Sequence, residues 1–391
     1  MYYLQIILYS IISLIVITYM YIKIKYRFWS VQPVFHIYDF HYWLFSPGYI
    51  HKSLPDKNKF TNFKNIIKTD VLKLNNREKT EIIDLLQEHY LKEGRIHFRP
   101  EQVNIFPYFE NIGKKSCLCT SYYEKGGFNY KNLIGFMLGK PLYVYNNNNN
   151  NKNNNNFKTY YVEYLCVHKL HRKKGIAPEL IQTHDYFQRR ENPDVICSLF
   201  KREHNLTGIV PLCLYSTYGF DIHLWDKEVY IHPGISIIEI SKTNIHVLKD
   251  FLKNSKNNYK CFITTGIQNI LTLIDTNNFI VYCVIQDGQV ICCYFFRDSC
   301  TYYDDNKRVV NNFCNFNNCL IDDVFVYCYG KIIQKLKKRF DMLLIENNSA
   351  SDTIVQKILA THNPEFISPT AYYFYNYLMH PVKPEEFYCI C

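Results

Sequence analysis

The sequence predicts a mixed α+β fold. Two halves of similar make-up, each a mixed sheet flanked by helices, follow one apolar N-terminal helix. Three observations carry this. The chain has 391 residues, too long for one ordinary domain and about right for two. Strand-like and helix-like runs alternate before residue 230 and again after it. Hydrophobic residues make up 48% and charged residues 20%, so the chain can bury a core that a disordered chain could not.

The first element is the apolar run Leu4 to Ile22, interrupted only by Gln5, Ser10, Ser13 and Thr18. As a helix it spans roughly 28 Å at about 1.5 Å per residue, near the thickness of a bilayer's hydrocarbon core. Lys23, Lys25 and Arg27 follow at once, and no basic residue precedes it. A signal peptide needs a basic start and a small-residue cleavage site, and this run has neither. It reads as a single-pass membrane anchor over residues 1–24, with the basic flank and the domain behind it facing the cytosol. A buried core helix is the alternative.

Asn75 to Glu93 predicts a helix, capped by Asn75 or Asn76, with Ile82, Leu85, Leu86 and Tyr90 on one face. Leu133 to Val144 and Thr159 to Val167 predict strands. Between them the Asn-rich stretch 146–156 is low-complexity and too polar to build a core, so it reads as a disordered loop inside a hairpin. A helix follows from Pro178 to about Arg190, with Pro in the first turn, where its missing N–H costs nothing. In the second half, Ile235–Ser241, Phe262–Thr265, Phe279–Ile285 and Val290–Phe296 predict strands. Asp287-Gly288 turns the last two into a hairpin. Ile332 to Arg339 predicts a helix and Met342 to Ile345 a strand.

The net charge of +10 suits an anionic partner, but it forms no long basic tract, so no nucleic-acid-binding arm is expected. Aromatics reach 17%, which suits strands and apolar pockets. The 15 cysteines form no CxxC pair, which argues against a zinc ribbon. They read as buried, reduced thiols, and neither a metal nor a resident cofactor is expected.

One window carries chemistry. Residues 161–180 combine a strand, a basic turn with one glycine and a helix start. Helix-start N–H groups and the helix dipole favour an anion in such a turn. Arg172, Lys173 and Lys174 add charge, and Gly175 lets the backbone approach closely. The Arg-x-x-Gly-x-Ala turn resembles that of the acetyltransferase (GNAT) superfamily. The longer run Leu165-Cys166-Val167-His168-Lys169, then Arg172, Lys174, Ala177 and Pro178, resembles the signature of the N-myristoyltransferases. Tyr26-Arg27-Phe28-Trp29-Ser30-Val31-Gln32-Pro33-Val34 resembles that family's N-terminal acyl-CoA segment. Fainter echoes lie at Tyr90 with Phe98-Arg99, at Val210, Cys213 and Tyr215, and at Tyr372-Tyr373-Phe374-Tyr375-Asn376.

The resemblance implies two GNAT-like halves, 25–230 binding acyl-CoA and 231–391 supplying the acceptor groove. It implies myristoyl-CoA as co-substrate, the amine of a protein or peptide as acceptor, no nucleic-acid partner and a monomer. Arg27, Phe28 and Trp29 would line the acyl-CoA site. The backbone N–H groups of Tyr164 and Leu165 would form an oxyanion hole, where charge develops in the transition state. Cys166 and Val167 would continue the strand along the cofactor. Arg172, Lys173, Lys174, Gly175, Ile176 and Ala177 would hold its phosphates. The C-terminal carboxylate, here on Cys391, would be the base that deprotonates the acceptor. Acetyl transfer to another amine, or an inactive acyl-CoA-binding scaffold at the membrane, are the alternatives.

The pattern departs from the family in several places. The family's three consecutive Asp after the first helix correspond to Glu93, Gly94 and Arg95. The Asn before the oxyanion pair is Glu163. The Arg expected at position 175 is glycine, and the N-terminal anchor is not a usual feature of the family. Cys166 reads as a buried small hydrophobe rather than a nucleophile, and His168 as structural. Cys389-x-Cys391 has the look of a lipidated tail, but lipidation would consume the terminus that the catalytic reading needs.

Overall fold

The computed structural model describes residues 2–44, 48–91, 95–113, 116–125, 131–147, 156–203, 208–224, 233–304 and 306–391. In chain order the helices are α1 (Tyr2–Lys25), α2 (Phe40–Leu44), α3 (Asn76–His89), α4 (Gln102–Ile105), α5 (Ile176–Glu191), α6 (Ile245–Ser255), α7 (Ile267–Asp275), α8 (Asp322–Leu336) and α9 (Ser351–Leu359). The strands are β1 (Gly48–Tyr49), β2 (Ile66–Asp70), β3 (Ile96–Phe98), β4 (Leu118–Lys125), β5 (Lys131–Asn146), β6 (Phe157–Val167), β7 (Ser198–Glu203), β8 (Cys213–Asp221), β9 (Ile235–Glu239), β10 (Cys261–Thr264), β11 (Phe279–Gln286), β12 (Gln289–Tyr303), β13 (Lys307–Asn317), β14 (Met342–Glu346), β15 (Phe366–Tyr375), β16 (Tyr377–Leu378) and β17 (Phe387–Ile390).

One topological unit occurs twice. β5 and β6 are antiparallel, and the chain crosses through α5 to return in β7, parallel to β6. Likewise β12 and β13 are antiparallel, and the chain crosses through α8 to return in β14, parallel to β13. A parallel return needs such a helical crossover. The two units share one sheet, through the ladder β7–β15–β8–β14 and through β10, which joins β5 to β17. They also share a core: Phe136 and Leu138 pack in one cluster with Phe279, Phe295 and Phe316. The expected boundary at 230/231 lies outside the described residues, as do residues 148–155 of the Asn-rich stretch. β5 and β6 pair out to Val144↔Phe157, so that stretch does join a hairpin.

Most expected elements are present, with shifted ends. α3 is closed by a capping box between Asn75 and Glu78 and ends at His89, before the expected Glu93. α5 starts at Ile176, and Pro178 remains in its first turn. Asp287 and Gly288 both have positive φ, 51° and 74°, as a two-residue hairpin turn requires. α8 begins at Asp322, ten residues before the expected start at Ile332. Its first turns, Phe325-Val326-Tyr327-Cys328-Tyr329, have strand-like composition. Phe325, Tyr329, Ile332, Ile333 and Leu336 nevertheless fall on one buried face, and that burial decides for helix. α6 and α7 lie where no helix was expected.

α1 packs against almost nothing. Ile22 is its one buried residue, and the rest of its apolar surface is exposed. This removes the buried-core-helix alternative. At its C-terminal end Lys23 Nζ donates to the Ser30 carbonyl at 2.8 Å and lies over the rings of Tyr19 and Tyr38.

Candidate active site

The site is built where two neighbouring strands part. β6 and β7 pair only from Tyr160↔Ser198 to Val162↔Phe200 and then diverge. At the same level the β5–β6 ladder slips: Leu138 faces Tyr164 while Gly139 faces Val162, so Glu163 is an extra, bulged residue. A Cβ on Gly139 would lie 2.8 Å from His184 Nε2, which is why a glycine stands opposite the bulge. Beyond Val162, β6 therefore has no sheet partner on its β7 side.

Two cavities meet at this fork. The larger, about 730 Å³, is lined by Tyr108, Tyr164, Arg297, Glu346 and neighbours from both units. The smaller, about 190 Å³, is lined by Trp29, Met137, Leu165, Ile181, Phe200 and Tyr375. Tyr90, Val162, Glu163 and Lys201 line both. Tyr164 and Leu165, expected as the oxyanion pair, thus face different cavities, as successive strand residues must.

The other expected residues fall into three groups. In the N-terminal segment, Trp29 reaches the small cavity and stacks on Phe200. Phe28 packs edge-on against Phe60, with centroids 5.3 Å apart, and Arg27 is exposed; neither lines that cavity. Gln32 holds the segment in place by accepting from Tyr375 Oη at 2.8 Å. On β6, Cys166 is buried and donates from Sγ to the Leu85 carbonyl at 3.5 Å. Burial pushes its thiol up to about 12, so it is no nucleophile. Val167 packs with Ile176 and Leu180. His168 caps a short turn, its Nδ1 accepting from Leu170 N at 3.2 Å, which fits a structural role.

At the start of α5, Lys173 has φ 63° and Gly175 φ 85°, a left-handed turn that leads directly into the helix. No atom lies within 4 Å of where a Gly175 Cβ would stand, so the turn is open to a ligand. Ile176 turns its side chain into the core, and Ala177 packs at the same cluster's edge. Arg172 spends its guanidinium on backbone: Nε donates to the Val167 carbonyl at 3.3 Å, and a second nitrogen to the His89 carbonyl. It braces the turn, leaving Lys173 and Lys174 as the exposed charges there.

The chain's last strand, β17, runs parallel to β10 at the end of the sheet, is buried along its length and leaves Cys391 1% exposed. Such burial argues against a lipidated tail. Cys391 lines neither cavity, but it is near enough to Glu163, Lys140 and Arg297 for their charges to act on its thiol. A hydrogen bond from Cys389 is the main cause that holds that thiol below its ordinary value.

Several residues of the site were not read from the sequence. Glu346, 1% exposed, accepts from Lys201 at 2.8 Å, Arg297 at 2.9 Å and Asn311 at 2.9 Å, and from Tyr215 Oη. Burial opposes its charge, but Lys201 and Arg297 outweigh it and hold the carboxyl down at about 2. Beside the small cavity, burial pushes His184 down to about 3 and Asp185 up to about 7, the latter opposed by Arg189. Lys140, fully buried, lies 3.0 Å from Glu163. The available signal was a charge inside an apolar strand run: Lys140 and Glu163 each interrupt one. Glu346 ends β14, where a charge is ordinary, while Lys201 and Arg297 stand in polar runs within β7 and β12. All 15 cysteines are unbridged, and all but Cys300 and Cys319 are buried.

Residues 57–213 match the family described as myristoyl-CoA:protein N-myristoyltransferase, N-terminal domain. No curated protein matches the sequence. Among solved structures, a Saccharomyces cerevisiae N-myristoyltransferase with bound myristoyl-CoA superposes with a TM-score of 0.70 at 13% identity, covering 91% of this chain and 94% of that one. A second structure of the yeast enzyme, with myristoyl-CoA and inhibitors, gives 0.71 at 13% identity, covering 92% of each chain. The family match thus covers residues 57–213, and the fold of the yeast N-myristoyltransferases extends over nine-tenths of the chain.

Proposed function

We propose that the chain is an acyl-CoA-dependent N-acyltransferase that moves a fatty acyl group, myristoyl foremost, from CoA to the N-terminal amine of a protein. The observation that carries this reading is the fork between β6 and β7. There a cavity lined by Trp29, Leu165 and Phe200 meets a larger one that holds Arg297 and Glu346, and the left-handed Gly175 turn at the start of α5 lies just beyond. Acyl chain, thioester and phosphates have successive places along that line. The backbone at Tyr164 and Leu165, paired with β5 but free of β7, stands where the thioester oxygen gains charge. Arg172 braces the phosphate turn while Lys173, Lys174 and the N–H groups of Ile176 and Ala177 meet the anion.

The division of labour follows the two units. Residues 25–230 bind acyl-CoA, and 231–391 supply Arg297, Glu346 and the acceptor groove. The Cys391 carboxylate, anchored by β17 behind the fork, receives the acceptor's proton. The exposed, apolar α1 holds this monomeric enzyme at a membrane with the catalytic part in the cytosol. Its 24 residues are long enough to cross, and Lys23 and Lys25 end it.

The reading is tested by native mass spectrometry of the full chain in detergent with a series of acyl-CoAs. Retention of long-chain acyl-CoA over acetyl-CoA is expected. Equal retention of acetyl-CoA would favour acetyl transfer.

A further inference from the structure

The buried ion pair of Lys140 and Glu163 stands at the junction of the two cavities. Both side chains are nearly inaccessible, at 0% and 8% exposure, and Nζ lies 3.0 Å from Oε2. Burying two charges is costly, and apolar residues of similar size would serve stability as well. The pair is also incompletely satisfied: neither Lys140 Nζ nor Glu163 Oε2 has an aligned hydrogen bond. A buried carboxylate with bonding capacity to spare is expected to have a partner that is not yet present.

Glu163 has the position to meet one. It is the bulged residue, immediately before the oxyanion pair, and it lines both cavities. Lys140 holds it from the β5 side, its Nζ over the Tyr108 ring at 4.6 Å. Arg297 and Lys201, two cations that line the large cavity, are engaged by Glu346. Cys391, in contrast, lines neither cavity.

We infer that Glu163, clamped by Lys140, is the docking point for the acceptor's ammonium group and the first acceptor of its proton. This rests on the acyl-transfer reading but not on the final destination of that proton. The ammonium gives one proton to the Glu163 carboxylate. The freed nitrogen lone pair attacks the thioester carbon, forming the C–N bond and the oxyanion. The oxyanion collapses, the C–S bond breaks, and the amide nitrogen's surplus proton passes to the departing thiolate. Lys140 is then a positioning residue, and Glu163 a catalytic one.

The test uses the full chain in detergent, loaded with myristoyl-CoA and mixed with a peptide beginning in glycine. Acylated peptide is measured in a single turnover. Removing one charge alone would strand the other, so the two are replaced together, Lys140→Met with Glu163→Gln. General base catalysis contributes about 10²- to 10⁴-fold, so the rate should fall about 100-fold or more at unchanged myristoyl-CoA affinity and thermal midpoint. Glu163→Asp keeps the charge on Lys140 but withdraws the carboxylate by one methylene, and should lose about tenfold or more. Either folded variant acylating the peptide at the wild-type rate would overturn the role of Glu163 alone. A wild-type chain that binds myristoyl-CoA and acylates nothing would overturn the acyl-transfer reading, and this proposal with it.

Discussion

The indole of Trp29 stacks on the ring of Phe200, with centroids 5.4 Å apart and planes 16° from parallel. Phe200 sits opposite Val162, the last register pair before β6 and β7 diverge. The N-terminal segment is thereby pinned at the mouth of the fork and closes the small cavity. Trp29→Ala should open that cavity and weaken long-chain acyl-CoA binding about tenfold to a hundredfold, or about 1.4–2.8 kcal/mol. Titration calorimetry reads this directly, and an unchanged affinity would remove Trp29 from the acyl site.

The Gly175 turn separates backbone strain from packing, because a new Cβ there touches nothing. Gly175→Ala must hold a φ of 85° against its preference, at about 1–2 kcal/mol. If the turn cradles phosphates, acyl-CoA binding weakens while binding of the matching acyl-pantetheine, which lacks them, is unchanged. Equal loss for both ligands would place the phosphates elsewhere.

Glu346 ties both units together through Lys201 and Arg297. Glu346→Gln leaves two partly buried cations facing a neutral amide and should destabilise the fold by about 3 kcal/mol, measured by denaturant titration. The wild-type carboxyl sits at about 2, below its ordinary value of 4.5. Its contribution is therefore complete above pH 4.5 and is lost as pH falls toward 2. The variant should lack that acid-limb slope.

Asp185 has the opposite sign. Burial raises its carboxyl to about 7 from 3.8. The stability linked to its protonated form is complete below pH 3.8 and is lost as pH rises through 7. Asp185→Asn mimics the protonated form, so the variant should outlast the wild type above pH 7 and match it near pH 4. Thermal midpoints across that range check this. Parallel curves would show that Asp185 does not titrate there.

The chain terminus gives a covalent test of the terminal base. Cys391 directly follows the buried strand β17 and is itself almost wholly buried, so added residues must displace the carboxylate. Two residues appended after Cys391 should abolish acylation while leaving acyl-CoA binding intact. A fully active extended protein would assign the base elsewhere.

The sequence showed the scaffold of this site better than its centre. The 164–167 strand and the Gly175 turn follow one another closely along the chain, and local rules expose them: a strand, a glycine with φ > 0, a helix start. Arg172 was legible as a cation but not as a brace, because its partners, the Val167 and His89 carbonyls, are set by how α3 packs on β6. The start of α8 was hidden by aromatic residues whose composition suits a strand until the partner surface is known. The Lys201–Glu346–Arg297 cluster joins positions far apart in sequence, and only the β7–β15–β8–β14–β13–β12 ladder brings them together. Lys140 and Glu163 were visible as lone charges in apolar strands, but the slip that makes them neighbours is a property of the ladder and not of either strand.

The central claim is transfer of an acyl group to an N-terminal amine at the fork. The most direct measurement is tandem mass spectrometry of a glycine-starting peptide after incubation with the full chain and myristoyl-CoA. The account predicts one myristoyl group on the α-amine, dependent on the protein and absent from the same peptide with a blocked N-terminus. Tight myristoyl-CoA binding with no acylated peptide, or acylation of a lysine side chain instead, would contradict it.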